Sequence, residues 1–225
     1  MNAFSQQAGV LYLERDKFYF YGSGVQTILK SIFPQEAVKD TEVLNKDFLV
    51  KNTQSFIEFN KIRPSRVVFV LSDEIIFQKI FPEGSKDKSQ EEIFLQSVPY
   101  EHTSLVRVKK SDKTVVMATN TDLFLQIKRA FEKKDFTVSE ILPVSVFENI
   151  IIDPAGGLTV ETAQYIQSKL ESLKEFTFVK AAEKPKNTQL NLKISSPAGN
   201  RRAIMLFMVF IVLLGILFFM MLRGR

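Results

Sequence analysis

The chain has 225 residues, 45% apolar and 24% charged, which suits one or two small globular domains and excludes a wholly disordered protein. It has no cysteine, so disulfides, thiolate metal sites and cysteine nucleophiles are excluded. The net charge of +5 is local: Arg201, Arg202, Arg223 and Arg225 flank one apolar run, the other 26 basic residues face 25 acidic ones, and no nucleic-acid partner is expected.

In chain order, residues 10–13 and 17–21 alternate apolar and polar around Glu14-Arg15-Asp16, predicting a β-hairpin. A less regular stretch, 25–43, follows. Asn45 can cap a helix to about Lys61, with Phe48, Leu49, Phe56 and Ile57 on one face, and Pro64 stops it. RVVFVL and EIIFQKIF read as two strands joined as a hairpin at Ser72-Asp73. Ser89-Gln90-Glu91-Glu92 is a capping box opening a short helix that ends before Pro99.

Residues 104–108 and 114–118 predict a hairpin around Lys110-Ser111-Asp112-Lys113. Thr121 then caps a helix burying Leu123, Phe124, Ile127, Ala130 and Phe131, and a strand over 136–142 closes at Pro143. An amphipathic helix runs from Thr159 to Leu173, followed by strand-like 176–179 and a polar Pro/Gly/Asn/Ser segment.

The predicted class is α+β. From Arg66 the order is that of a split β-α-β (ferredoxin-like) domain, with both helices on one face of an antiparallel sheet. The expected organisation is an N-terminal hairpin-and-helix region over 1–64 and the split β-α-β domain over 65–149. A helix-strand extension (150–182), a flexible tether (183–202) and a transmembrane helix (203–222) follow.

That last segment, AIMLFMVFIVLLGILFFMML, has twenty residues without a charged or hydrogen-bonding side chain. As a helix it spans roughly 30 Å, the thickness of a bilayer's hydrocarbon core. Fourteen of its residues are Leu, Ile, Phe or Val, which together favour insertion by at most roughly 4–8 kcal/mol. Lys184, Lys186, Lys193, Arg201 and Arg202 precede it against Arg223 and Arg225 after it, so the positive-inside bias keeps the N-terminal region in the cytoplasm. With no ionisable group in the span, it reads as a single-pass anchor in the cytoplasmic (inner) membrane.

Little catalytic chemistry is legible. His102 is the sole histidine, in a loop after Pro99, with no nucleophile paired to it in sequence and too few companions for a zinc site. Glu91 and Glu92 are helix neighbours pointing about 100° apart, so they cannot act as a facing pair. Asp153-Pro154-Ala155-Gly156-Gly157-Leu158-Thr159 faintly echoes an actin-type phosphate loop through Asp153, Gly156, Gly157 and Thr159. The alternative is a strand-to-helix turn with Thr159 as N-cap, favoured because Pro154 removes a donor N–H. No catalytic residue, cofactor or metal is expected.

The segments RVVFVLSDEIIFQKIFP, EEIFLQSVPY and TVVMATNTDLFLQIKRAFEKKDFTVSEILPVSVF cover residues 66–147. Together they resemble the 1C-type (SHS2-like) subdomain of PilM-like and GspL-like proteins, the cytoplasmic actin-like components of type IV pilus and type II secretion inner-membrane platforms. The hairpin at 10–21 is similar to the first of the adjoining 1A-type subdomain. It reads VLYLERDKFYFY without the family's Asp-Ile-Gly-type phosphate loop, so no nucleotide-binding residue carries over. A tether and apolar run also stand where full members continue into the subdomains that close on nucleotide. Leu190, Asn191 and Leu192 faintly resemble a peptide-like "INLL" element of PilN-like partners.

The resemblance implies a membrane-anchored cytoplasmic scaffold that docks segments of other pilus or secretion platform proteins and is not an enzyme. An oligomer is compatible with it. The alternatives are a tail-anchored adaptor or regulator unrelated to pili, and a membrane-tethered actin-like ATPase using the 153–159 loop.

Overall fold

The computed structural model describes residues 8–82, 88–110, 113–148, 150, 152 and 157–179. Strands β1 (Gly9–Leu13), β2 (Lys17–Gly22) and β3 (Val25–Ile32) form an antiparallel meander. The hairpin expected at 10–21 is present: the Glu14 N–H donates to the Lys17 carbonyl (2.9 Å), and Lys17 Nζ pairs with the Glu14 carboxylate at 2.8 Å. The irregular reading of 25–43 is corrected. No residue of β3 is fully buried and half of them are exposed, so its apolar pattern is diluted, and β4 (Val38–Lys39) and β5 (Glu42–Val43) make a small hairpin. Its two turn residues, Asp40 and Thr41, have φ of 48° and 69°, a left-handed pair that matches the twist of hairpin strands.

Helix α1 (Lys46–Phe59) is capped by Asn45, whose Oδ1 accepts from the Phe48 N–H at 3.0 Å. Leu49 and Ile57 are buried and Phe56 packs beside them, but Phe48 is exposed, one position off the packed stripe. Strand β6 (Arg66–Leu71) follows, then a 3-10 turn (Asp73–Ile75) and β7 (Ile76–Pro82). Helix α2 (Lys88–Ser97) begins at Lys88, so Ser89 is inside the helix rather than its expected cap. β8 (Thr103–Lys110) and β9 (Lys113–Asn120) form the expected hairpin. Helix α3 (Thr121–Glu132) is capped by Asn120, not Thr121: Asn120 Oδ1 accepts from the Asp122 N–H at 2.9 Å. β10 (Thr137–Pro143) and α4 (Val160–Leu173) complete the regular elements, and a 3-10 turn, Lys174–Phe176, follows α4.

The fold is mixed α+β, with four helices among the described residues. The expectation of a single antiparallel split β-α-β sheet is corrected. β6 and β10 are parallel to each other and to β1, in a five-stranded sheet of order β10-β6-β1-β2-β3. β7, β9 and β8 form a separate antiparallel sheet, so β6 and β7 are not a hairpin. The physical reason is burial. Val67 to Leu71 are fully buried because β6 is covered on both faces, which calls for an uninterrupted apolar run. β7 leaves Phe77, Gln78 and Ile80 exposed, as an edge strand can. The five-stranded sheet thus draws strands from both sides of residue 65.

One face of this sheet, with Leu11, Phe20 and Phe69, packs on α1 and α3. Phe131 of α3 sits among the rings of Phe20, Phe69 and Phe136, at centroid distances of 5.8, 5.8 and 5.1 Å. The opposite face, with Val10, Tyr12, Val68 and Val70, packs on Ala163, Ile166 and Leu170 of α4. Val106, Val108, Val115 and Met117 of the small sheet join the first core, while Val116 and Ala118 face Phe94 and Val98 of α2. The segment 176–179 is not a strand. Ile141 N–H donates to Thr177 Oγ1 (3.0 Å) and Phe178 N–H to the Ile141 carbonyl (2.8 Å), which covers the edge of β10.

Among the described residues no helix is long and apolar enough to cross a membrane. The expected span at 203–222, the tether, Leu190, Asn191, Leu192 and the flanking arginines Arg201, Arg202, Arg223 and Arg225 lie outside the described residues.

Candidate functional site

Two concave surfaces stand out. The first is a groove between the small sheet and the elements after β10. One cavity of about 400 Å³ is bounded by Val108 and Lys109 of β8, Val146 to Glu148, and Tyr165, Lys169 and Leu173 of α4. A second, of about 360 Å³, is bounded by Gln78 and Ile80 of β7, Val115 and Met117 of β9, Lys113 and Ser145. Both share Val108 and Val146, so they form one groove. Its floor is apolar and its rim carries Lys109, Lys113 and Lys169 against Glu148. Lys169 Nζ lies 5.8 Å from the centroid of the Tyr165 ring, whose hydroxyl donates to the Glu148 carbonyl. Such a channel fits a polypeptide segment with apolar anchors and acidic flanks.

The second surface lies at the carboxyl ends of the parallel strands, where ligands of open α/β sheets commonly bind. A crevice of about 370 Å³ is lined by Tyr12, Glu14, Ser72, Asp73, Glu74 and Ser145. Burial, then the charges of Glu14, Asp73 and Glu74, hold the Tyr12 phenol well above its ordinary value. Burial also holds the Asp73 carboxyl above the usual carboxylate range. Its described lining carries Glu14, Asp73 and Glu74 and no cation, and the turn after β1 is Glu14-Arg15-Asp16.

Of the 153–159 loop, Asp153 and Gly156 lie outside the described residues. Gly157 has φ +70°, and a Cβ there would stand 2.4 Å from the Tyr19 ring; the position serves a close backbone approach. Thr159 caps α4, its Oγ1 accepting from the Thr162 N–H at 3.1 Å. The thinly patterned His102 is exposed, with Nδ1 3.2 Å from Asp122 Oδ2, and Lys46 Nζ reaches the same carboxylate at 2.8 Å. Glu91 pairs with Arg107, while Glu92 faces solvent. Among the described residues no group of three or more His, Asp or Glu is placed to hold a metal ion.

Sequence reading did not find either surface, because each is assembled from segments far apart in the chain. The acidic turns Glu14-Arg15-Asp16 and Asp73-Glu74 were the only local trace.

No family model matches the chain, and no curated protein matches it. Solved structures do. The "PilM-PilN type IV pilus biogenesis complex" is similar at 13% identity and TM-score 0.38, over 61% of this chain and 46% of that one. The cytoplasmic domain of EpsL, an inner membrane component of the type II secretion system of Vibrio cholerae, is similar at 11% identity and TM-score 0.34, over 60% and 56%. A Bacteroides thetaiotaomicron protein with an actin-like ATPase fold and unknown function gives 15% identity and TM-score 0.32, over 62% and 55%. The chain spans about half the length of each of these structures.

Proposed function

We propose that this chain is a membrane-anchored, non-enzymatic cytoplasmic scaffold of a type IV pilus or type II secretion-like assembly platform, docking partner segments in the groove between the small sheet and α4. The observation that carries the docking role is that groove: two joined cavities of about 400 and 360 Å³ with an apolar floor and a lysine rim. The resemblance of residues 66–147 to the platform family supplies the assembly. The twenty-residue apolar run at 203–222 supplies the anchor.

Anchoring confines the domain to a thin layer at the membrane and raises its effective concentration for co-anchored partners. A segment seated in the groove gains affinity from apolar side chains on Val108, Val115 and Val146, and orientation from acidic flanks meeting the lysines.

The test is photo-crosslinking of the full chain in its own membranes. A crosslinker at Ile80 or Tyr165 is expected to capture platform proteins, one at exposed Glu36 to capture none, and Val146→Asp to abolish the Ile80 adducts. Equal adducts from all three positions, or none from the groove, would sink the docking role. Release of the intact chain by alkaline carbonate would sink the anchor.

A further inference from the structure

The acidic crevice continues into a neighbouring cavity. Glu74 lines both: on one side the space of Tyr12, Ser72 and Asp73, on the other a cavity of about 370 Å³ bounded by Arg15, Asp40, Glu42, Phe77 and Tyr100. Among the described residues no ion pair engages Asp40, Glu42, Asp73 or Glu74. Arg15 is the one cation on these walls, so four free carboxylates outweigh a single guanidinium. Glu14 is already matched by Lys17 at 2.8 Å.

Two further observations point to a ligand. Phe77 and Tyr100 stand edge to face, 5.6 Å between centroids and 79° between planes, in the wall of the second cavity. That arrangement leaves ring surface able to receive a cation. In the first cavity, Ser72 is 3% exposed and its Oγ has no hydrogen-bond partner. The Tyr12 hydroxyl is the polar neighbour of this oxygen. A buried hydroxyl left in this state is a group awaiting a partner.

We propose that this trough docks a basic segment of a partner polypeptide. One Lys or Arg side chain would rest on Phe77 and Tyr100 between Asp40, Glu42 and Glu74, and a second would reach Ser72 and Asp73. Two cavities in series suit an extended chain, whose alternate side chains project to one face, better than a single small amine. A cation would also relieve the cost of holding Asp73 charged in its desolvated position. The trough meets the lysine-rimmed groove only at Ser145 and takes the opposite charge, so it does not rest on the docking role proposed there.

The experiment uses the full chain in mild detergent and a fluorescent ten-residue peptide alternating Lys and Ser, read by anisotropy, with a Glu/Ser peptide as control. The Lys/Ser peptide should bind and weaken as salt is added. Glu74→Gln should lower its affinity about fivefold, and Asp40→Asn, which tolerates the left-handed backbone there, by a similar factor. Phe77→Leu, which keeps an apolar side chain but removes the ring, should cost about threefold. Glu161→Gln, an exposed carboxylate on α4 away from both cavities, should leave affinity unchanged. No binding by the unaltered chain at millimolar peptide would overturn the proposal. So would equal binding of the Glu/Ser peptide, unchanged affinity in both carboxylate variants with native circular dichroism, or an equal loss with Glu161→Gln.

Discussion

Replacing Arg66 by methionine would strip the guanidinium from the nearly buried carboxylate of Glu140. Arg66 Nη2 donates to both oxygens of Glu140, at 2.9 and 3.1 Å, and its Nε donates to Ser139 Oγ at 2.8 Å. The pair ties β6 to β10 beside the irregularity in their register between Val138 and Glu140. The side chain of Glu140 is 8% exposed and that of Arg66 38%. Stranding a fully buried charge costs about 3–5 kcal/mol. Water reaches Arg66, and the Ser139 hydroxyl can still serve Glu140, so the expected cost here is about 2 kcal/mol.

The chain has no tryptophan, so unfolding in urea is best followed by far-UV circular dichroism on the detergent-solubilised protein. With a urea dependence of about 2 kcal/mol per molar, the midpoint should fall by about 1 M. The double variant Arg66→Met with Glu140→Leu should recover most of the loss, because an apolar pair of similar volume leaves no charge behind. A single variant whose midpoint moves by less than about 0.2 M, or a double variant as weak as the single, would refute the reasoning.

Burial alone would raise the Asp122 carboxyl, but hydrogen bonds and charge from Lys46 and His102 outweigh it and hold the group below the usual carboxylate range. Its folded value is depressed, so its stabilisation is present above about pH 4 and is lost as the pH falls through the lowered value. Asp122→Asn should therefore reduce stability by less than about 1 kcal/mol at neutral pH and flatten the acid limb of a thermal-melt series. An acid limb identical to that of the unaltered chain would count against it. Gly157→Ala should cost about 2 kcal/mol, since the new Cβ meets the Tyr19 ring and φ is +70°. The melting temperature should drop by roughly 4–8 °C, and an unchanged value would show that the close approach is not tight.

The helices were the most legible part of the chain. Leu123, Phe124, Ile127, Ala130 and Phe131 fall on one face by spacing alone, and all five are buried. The caps at Asn45 and Thr159 could be read because their hydroxyl or amide precedes an apolar rhythm. Sheet membership was harder. RVVFVL and EIIFQKIF are both apolar runs, yet one is a central parallel strand and the other the edge of a different sheet. The uninterrupted run in the first, against Gln78 and Lys79 in the second, was the available clue. Neighbouring runs suggested a hairpin, but a 3-10 turn redirects the chain instead of reversing it. The groove and the trough depend on which strands share a sheet, a pairing that the local apolar pattern does not encode.

The bonds joining Thr177 and Phe178 to Ile141 form a latch that seals the edge of β10 after α4. Phe178 is fully buried, with its ring 6.4 Å from that of Phe124. Phe178 belongs to the same buried cluster as Phe131, so drawing this latch away would at once bare an open strand edge and leave a hole in the core beside Phe124.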